Sequence, residues 1–136
     1  MKKIGFALFA IFSLLASAFA QTRVIIDTDP GVDDAFAILL ALNSPELKVE
    51  ALTVVPGNVD GRQGLENALK IVSLAGRCDL PVAGGAQHPL NQKLITAQFW
   101  HGKNGLAGVE LPPSKCKARP MPSAGRGSRA RCASRT

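Results

Sequence analysis

The stretch VIIDTDPGVDDAFAILLAL, residues 24–42, decides the fold. Its first three residues are β-branched and apolar on both faces, which predicts a central parallel strand covered on both sides. Pro30 and Gly31 then force a turn. Residues 35–42 are apolar almost all round, which predicts a buried helix that stops at the Asn-Ser-Pro sequence following it. A strand, a turn and a helix in this order form the opening unit of a parallel α/β fold.

The same unit recurs along the chain. Residues 49–55 predict a second strand, and apolar residues at helical spacing predict a helix over about 64–75, with Gly76 as a natural C-terminal cap. Residues 80–83 predict a third, short strand. The order β-α-β-α-β predicts an α/β fold with a Rossmann-like parallel sheet, flanking helices and right-handed crossovers. Ligands bind such sheets beyond the carboxyl ends of the strands.

Residues 1–20 have the features of a secretory signal peptide. A short positive region precedes an apolar run, which ends in the small-x-small pattern Ala18-Phe19-Ala20. We therefore expect cleavage after Ala20 and a periplasmic or secreted product with no stable membrane insertion. The alternative is an uncleaved membrane anchor, but the apolar run is short for a spanning helix.

The charge is distributed unevenly. The net charge is +6, but residues 21–113 hold seven basic and ten acidic residues, a balance of −3. Residues 114–136 hold seven basic residues and no acid, and their Arg-, Ser-, Gly- and Pro-rich composition predicts a basic disordered tail. A nucleic-acid partner is not expected, because the tail lacks interleaved aromatic residues and the protein is predicted to be exported.

Three cysteines, Cys78, Cys116 and Cys132, give an odd count. Export permits disulfide bonds, but this spacing matches neither a dense disulfide framework nor a zinc site. The cysteines therefore predict no function by themselves.

An acidic cluster follows the first strand, with four aspartates within eight residues: Asp27, Asp29, Asp33 and Asp34. Such crowding is tolerated if a carboxyl group is protonated, if helix N-terminal amides compensate the charge, or if a cation binds. Carboxylate oxygens favour calcium or magnesium, and a bound metal lowers the pKa of its water. Aspartates that serve only as turn and cap residues are the alternative.

The string DTDPGVDDA, residues 27–35, resembles the signature of the inosine–uridine-preferring nucleoside hydrolases. The resemblance continues through VVPGN at 54–58, NA at 67–68, PVAGGA at 81–86 and HGKNGLAG at 101–108. It covers about residues 23–113, and it implies the N-terminal half of the nucleoside hydrolase fold.

That resemblance implies calcium-dependent hydrolysis of the N-glycosidic bond of ribonucleosides, giving a base and ribose. By match to the motif, Asp29 and Asp34 would be ligands of Ca²⁺, and Asp29 would also be the general base that takes a proton from the attacking water. Asp27 would support the calcium site, although a purely structural role is the alternative. The family commonly forms homo-oligomers.

The resemblance also assigns the substrate contacts. Asp33 would accept a hydrogen bond from a ribose hydroxyl, and Asn58 would contact the ribose or the water. His101 would lie on the mobile loop predicted over residues 87–108, which covers the substrate and has room for one helical turn. Asn58 as an ordinary turn residue and His101 as a packed loop residue are the structural alternatives.

The sequence departs from the family after residue 113, where no matching motif occurs. The segment ARPMPSAGRGSRARCASRT resembles out-of-frame translation, so we expect a truncated or frameshifted gene product. Two aspartate ligands leave much of a calcium shell unfilled, because calcium takes about six to eight oxygens. We therefore expect the 136-residue chain alone to be inactive or barely active. The alternative function is a non-catalytic exported module that binds metal or ribose.

Overall fold

The computed structural model of this chain describes residues 21–120. The elements are, in chain order, strand β1 (Thr22–Thr28), helix α1 (Val32–Asn43), strand β2 (Leu47–Val54), helix α2 (Gly61–Leu74), strand β3 (Val82–Gly84) and the short helix α3 (Gln98–His101). The predicted signal peptide and tail residues 121–136 lie outside the described residues. Among the described helices, none has the length and apolar character needed to span a bilayer.

The three strands form one parallel sheet in the order β1-β2-β3, which confirms the predicted α/β architecture. In the register, Thr28 is paired with Val54, and Val54 is paired with Gly84. The carboxyl ends of all three strands therefore finish level with one another. The turns that follow them meet at a single edge of the sheet.

The prediction of a central first strand covered on both faces is wrong for the described part of the chain. There β1 lies at the edge of the sheet, with β2 as its one neighbour. Val24 and Ile26 are half-buried, whereas Ile25, which points to the other face, is 68% exposed. An apolar β-branched run permits burial on both faces, but it does not supply the element that covers the second face.

Helix α1 is also less buried than its composition predicts. Ile38 is buried against the core, whereas Phe36 and Leu40 are each 71% exposed. The helix contacts α2 and β2. A helix that is apolar all round is buried only if other elements pack on all its sides. Within residues 21–120, such elements pack on one side of α1.

Helix α2 confirms the predicted period and its predicted end. The helix begins three residues earlier than expected, because the Asp60 side chain accepts hydrogen bonds from the backbone N–H groups of Arg62 and Gln63, both at 3.0 Å. At its end, Gly76 has φ +69°, and the N–H groups of Gly76 and Arg77 bond back to the last turn. The helix buries Ala68, Ile71 and Val72 against the sheet residues Leu52, Val54 and Val82.

The long loop after β3 contains one helical turn, α3, as expected. Its two aromatic side chains, Phe99 and Trp100, are 88% and 79% exposed, so core packing does not explain them. Their rings meet edge to face, with centroids 5.2 Å apart. The loop is anchored just before α3 by the N–H of Ala97, which donates to the carbonyl of Gly57 at 3.0 Å.

Residues 114–119 belong to the segment whose composition predicts disorder, but they make ordered contacts. A disulfide joins Cys116 to Cys78, although the spacing of the cysteines gave no indication of a pair. The Ser114 hydroxyl donates to the carbonyl of Leu69 at 2.9 Å, and the N–H of Arg119 donates to the carbonyl of Val82 at 2.7 Å. Composition did not indicate these contacts, because a cross-link and hydrogen bonds to α2 and β3 hold this segment, with Cys116 packed against the core.

Candidate active site

The carboxylate of Asp29 lies just beyond the end of β1, against the turn that follows β2. Its Oδ2 accepts a hydrogen bond from the backbone N–H of Asn58 at 2.9 Å. Gly57 makes this approach possible, because a Cβ atom there would lie 2.0 Å from Asp29 Oδ2. The Pro-Gly-Asn turn of the sequence therefore serves to bring backbone against the acid.

Asp34 occupies the first turn of α1 and accepts three hydrogen bonds. Its Oδ1 accepts from the hydroxyl of Thr28 at 2.7 Å, and its Oδ2 accepts from the N–H of Gly31 at 3.1 Å. The third donor is the side-chain amide of Asn58, also to Oδ2, at 2.9 Å. Asp34 is the third residue of α1, and its bond to the N–H of Gly31 is the side-chain half of a capping box, because Gly31 is the N-cap residue.

Asn58 brings the two predicted metal ligands together. Besides its bond to Asp34, its Nδ2 donates to the backbone carbonyl of Asp29 at 2.9 Å. One carboxamide thus connects the turns after β1 and β2 with the first turn of α1. These bonds answer part of the charge problem that the sequence poses, since hydrogen-bond donors compensate Asp29 and Asp34.

Asp33 and His101 meet at the N-terminus of α1. The Asp33 side chain is 80% exposed, and its Oδ1 lies 3.7 Å from His101 Nδ1. The backbone N–H of Val32 donates to the same nitrogen at 3.4 Å. His101 Nδ1 thus lies between the Asp33 carboxylate and the first backbone N–H of α1. The loop that carries His101 folds back over the acidic turn.

Asp27 lies apart from the other predicted site residues. Its side chain is exposed on β1 and accepts a hydrogen bond from the hydroxyl of Thr53 on β2. Among residues 21–120, its hydrogen bonds connect it to neither Asp29 nor Asp34. A supporting role for Asp27 at a metal site remains a prediction.

Asn67 is a buried polar residue whose role the sequence did not reveal. Its Nδ2 donates to the carbonyl oxygens of Pro30 and Asn104 at 3.2 and 2.8 Å, and its Oδ1 accepts from Gln63. The two carbonyls each lie 37 positions away in the chain, so no local pattern links them. The available signals were the match of NA at 67–68 to the family motif and a polar residue on an otherwise apolar helix face.

The carboxylates of Asp29 and Asp34 are the type of ligand that a hard divalent cation prefers, but two of them are too few to fill its coordination shell. Carboxylate oxygens are the ligands that calcium prefers, and it takes about six to eight of them. Within residues 21–120, no three His, Cys, Asp or Glu side chains form a group able to hold a metal. Asp29 and Asp34 would therefore supply part of a coordination shell.

Two carboxylates joined by a turn asparagine thus lie at the carboxyl edge of a parallel α/β sheet, which is where ligands bind in such folds. The family model described as inosine-uridine preferring nucleoside hydrolase matches residues 24–130. The chain belongs to this family. The match extends past residue 113, where the resemblance of the sequence motifs was expected to end.

Several similar proteins are named as nucleoside hydrolases or ribonucleoside hydrolases. The pyrimidine-specific ribonucleoside hydrolase RihA of Photobacterium profundum is 50% identical over 97 residues, which cover 71% of this chain and 31% of that protein. The solved structure of the plant nucleoside hydrolase PpNRh1 superposes with a TM-score of 0.68 at 46% identity, covering 73% of this chain and 32% of that one.

A purine-preferring ribonucleoside hydrolase from Gardnerella vaginalis superposes with a TM-score of 0.67 at 39% identity, over 72% of this chain and 32% of that one. The chain thus spans about a third of the length of the proteins that it matches.

Proposed function

We propose that this chain carries the metal- and ribose-binding part of a nucleoside hydrolase site, which hydrolyses the N-glycosidic bond of ribonucleosides to a free base and ribose. The observation that carries the proposal is the bridge from Asn58 to both Asp29 and Asp34 at the carboxyl edge of the sheet. The relatives described above are named for pyrimidine and purine ribonucleosides, so the proposal extends to ribonucleosides in general.

Asp29 and Asp34 would hold a calcium ion through their carboxylates. When bound, the ion orients ribose hydroxyls and lowers the pKa of the attacking water. The first turn of α1 contributes in the absence of the ion as well, because Asp34 is oriented by Thr28, Gly31 and Asn58.

Asp29 is the proposed general base. Among the described residues its one hydrogen-bond donor is the N–H of Asn58, which reaches Oδ2 and leaves Oδ1 to take a proton from water. Cleavage of an N-glycosidic bond passes through a ribosyl cation-like state, and the nearby carboxylates stabilise that positive charge. Gly57 and Asn58 hold the Asp29 carboxylate in place, so little reorganisation is needed.

Asp33 and His101 are the proposed substrate contacts. The Asp33 carboxylate is exposed at the start of α1, where it is free to accept a hydrogen bond from a ribose hydroxyl. His101 stands 3.7 Å from it on the loop that folds over the acidic turn. Asn58 would add its carboxamide oxygen to the ribose or to the water. These groups orient the sugar, which makes attack by water effectively intramolecular.

We further propose that calcium affinity and turnover of the 136-residue chain are low. The two carboxylates fill a minor part of a shell of about six to eight oxygens. Export to the periplasm or outside the cell is also part of the proposal. The Cys78–Cys116 disulfide supports it, because such bonds persist in oxidising compartments.

Ribose release from uridine and inosine tests the proposal, with the purified full chain at high concentration and with calcium or a chelator. We expect slow release above the enzyme-free background, which chelation and Asp29→Asn both abolish. Equal release by the chain and by its Asp29→Asn variant would refute the hydrolase function. Calcium binding without any turnover would favour the non-catalytic binding module instead.

A further inference from the structure

We propose that Asn67 is the positioning residue of this site. It is 1% exposed in a face of α2 that is otherwise apolar. Its carboxamide bonds on three sides, to Pro30, Asn104 and Gln63. Pro30 directly follows Asp29, and Asn104 belongs to the loop of His101. Asn67 therefore connects the acidic turn with the loop above it, and it acts on the reaction only through them.

The bonding pattern requires a neutral carboxamide. Both loop partners are carbonyl oxygens, so the residue between them must offer two N–H donors, while Gln63 requires an acceptor on the other side. An aspartate would direct an acceptor at the carbonyls, and a leucine of similar shape would leave all three groups without a partner. Among side chains of this size, asparagine alone satisfies the three contacts.

The packing around Asn67 leaves the loops little freedom. A Cβ atom at Gly105 would lie 3.0 Å from Asn67 Nδ2 and 2.8 Å from Val59, and Gly105 has φ +78°, which favours glycine. The His101 loop therefore approaches α2 as closely as backbone allows. Gly105 directly follows Asn104, whose carbonyl accepts the hydrogen bond from Asn67.

Hydrogen bonds within the loop fix its conformation, whereas the bond from Asn67 fixes its position relative to α2. Asn104 Oδ1 accepts from the N–H groups of Leu106 and Gly108, both at 3.0 Å, and the carbonyl of His101 accepts from Ala107 at 2.8 Å. These bonds remain inside the loop. The bond to Asn67 crosses from the loop to the helix. Losing it should move His101 away from Val32 without unfolding the loop.

This inference rests on the proposed function, and its test separates the two. The full chain is prepared as Asn67→Leu, as Gln63→Ala and as the control Ser73→Ala. Ser73 lies on the same helix and accepts a hydrogen bond from the N–H of Lys115 at 3.0 Å, far from the acidic turn. The readouts are the NMR cross-peak between His101 and the Val32 amide proton, and the kcat and KM of ribose release.

We expect Asn67→Leu to abolish the cross-peak and to lower kcat by about 10- to 100-fold, as small misplacements of reacting groups do. Gln63→Ala, at a half-exposed position, removes only the bond that orients the carboxamide, and it should weaken the cross-peak in a chain that remains folded. Ser73→Ala should leave both readouts unchanged. If Asn67→Leu does not fold, the Gln63→Ala comparison decides.

An intact cross-peak in folded Asn67→Leu or in Gln63→Ala would overturn the inference. Equal loss in Ser73→Ala would also overturn it, because it would indicate general loosening. If the unmodified chain releases no ribose, the proposed function fails by itself. The cross-peak comparison still decides whether Asn67 positions the loop.

Discussion

The side-chain amide of Asn58 donates a hydrogen bond to the carboxylate of Asp34 at 2.9 Å, across 24 positions of the chain. This bond joins the end of β2 to the beginning of α1. Since the same amide also reaches the Asp29 carbonyl, its removal affects both predicted metal ligands at once.

Asn58→Ala should lower the free energy of unfolding by about 1–3 kcal/mol, because it leaves partly buried acceptors without their donor. Urea unfolding followed by circular dichroism measures this. Asn43→Ala is the matched control, since Asn43 also donates to a carbonyl, that of Leu39, but at an exposed site. Equal losses in the two variants would contradict the assigned role of Asn58.

Asp33→Asn and Asp34→Asn remove the same charge from neighbouring positions but should differ in stability. The carboxylate of Asp34 accepts three hydrogen bonds, and Asp34→Asn replaces these charge-assisted bonds with weaker neutral ones, which should cost about 1–3 kcal/mol. Asp33 is 80% exposed, so its variant should stay within about 0.5 kcal/mol of the parent. Thermal unfolding of both compares them, and an equal or reversed order would be inconsistent with the structure.

Gly57→Ala should displace the Asp29 carboxylate, because the added Cβ would lie 2.0 Å from Oδ2. We expect a loss of about 1–3 kcal/mol, typical of overpacking, together with weaker calcium binding in a calorimetric titration. Gly84→Ala is the control, because its Cβ would meet Leu65 at an ordinary 3.4 Å. Unchanged calcium binding in Gly57→Ala would show that Asp29 does not hold the ion.

Reduction of the Cys78–Cys116 disulfide should lower the free energy of unfolding and loosen residues 114–119. The two cysteines are 38 positions apart, and the chain-entropy model gives about 4 kcal/mol for a loop of that size. Urea unfolding of Cys78→Ser, with and without reductant, measures the loss. Cys132→Ser is the control; its position lies outside the described residues. Insensitivity of the parent chain to reductant would refute the stabilising role of this disulfide.

The exposed edge of β1 should make the chain self-associate. Ile25→Lys adds a charge to that edge, and it should reduce association in sedimentation experiments, since charged residues block strand pairing. Phe36→Lys makes the same kind of change at a helix residue that is 71% exposed. If Phe36→Lys reduces association as strongly as Ile25→Lys, general hydrophobicity rather than strand pairing drives it.

Local patterns were sufficient for the elements whose signals lie within a few residues. The period of α2, its glycine stop and the parallel order of the strands followed from the sequence. The acidic turn was also placed correctly at the strand ends, because the end of a parallel strand is visible in the sequence.

Features that depend on contacts between distant parts of the chain could not be predicted from local sequence patterns. The exposed faces of β1 and α1 depend on layers that their composition does not encode. The pairing of Cys78 with Cys116 and the two long-range bonds of Asn67 join positions almost 40 residues apart. The proximity of His101 to Asp33 likewise depends on how a long loop returns to the sheet.

The segment that contains Arg119 leaves β1 as the open edge of the described sheet. The N–H of Leu52 bonds to the carbonyl of Pro81, so the next carbonyl, that of Val82, points to the opposite rim of β3. Arg119 already occupies that rim. A strand contributed by another molecule would therefore pair with β1, and two chains that joined through their β1 edges would form a dimer in which both of these edges are covered.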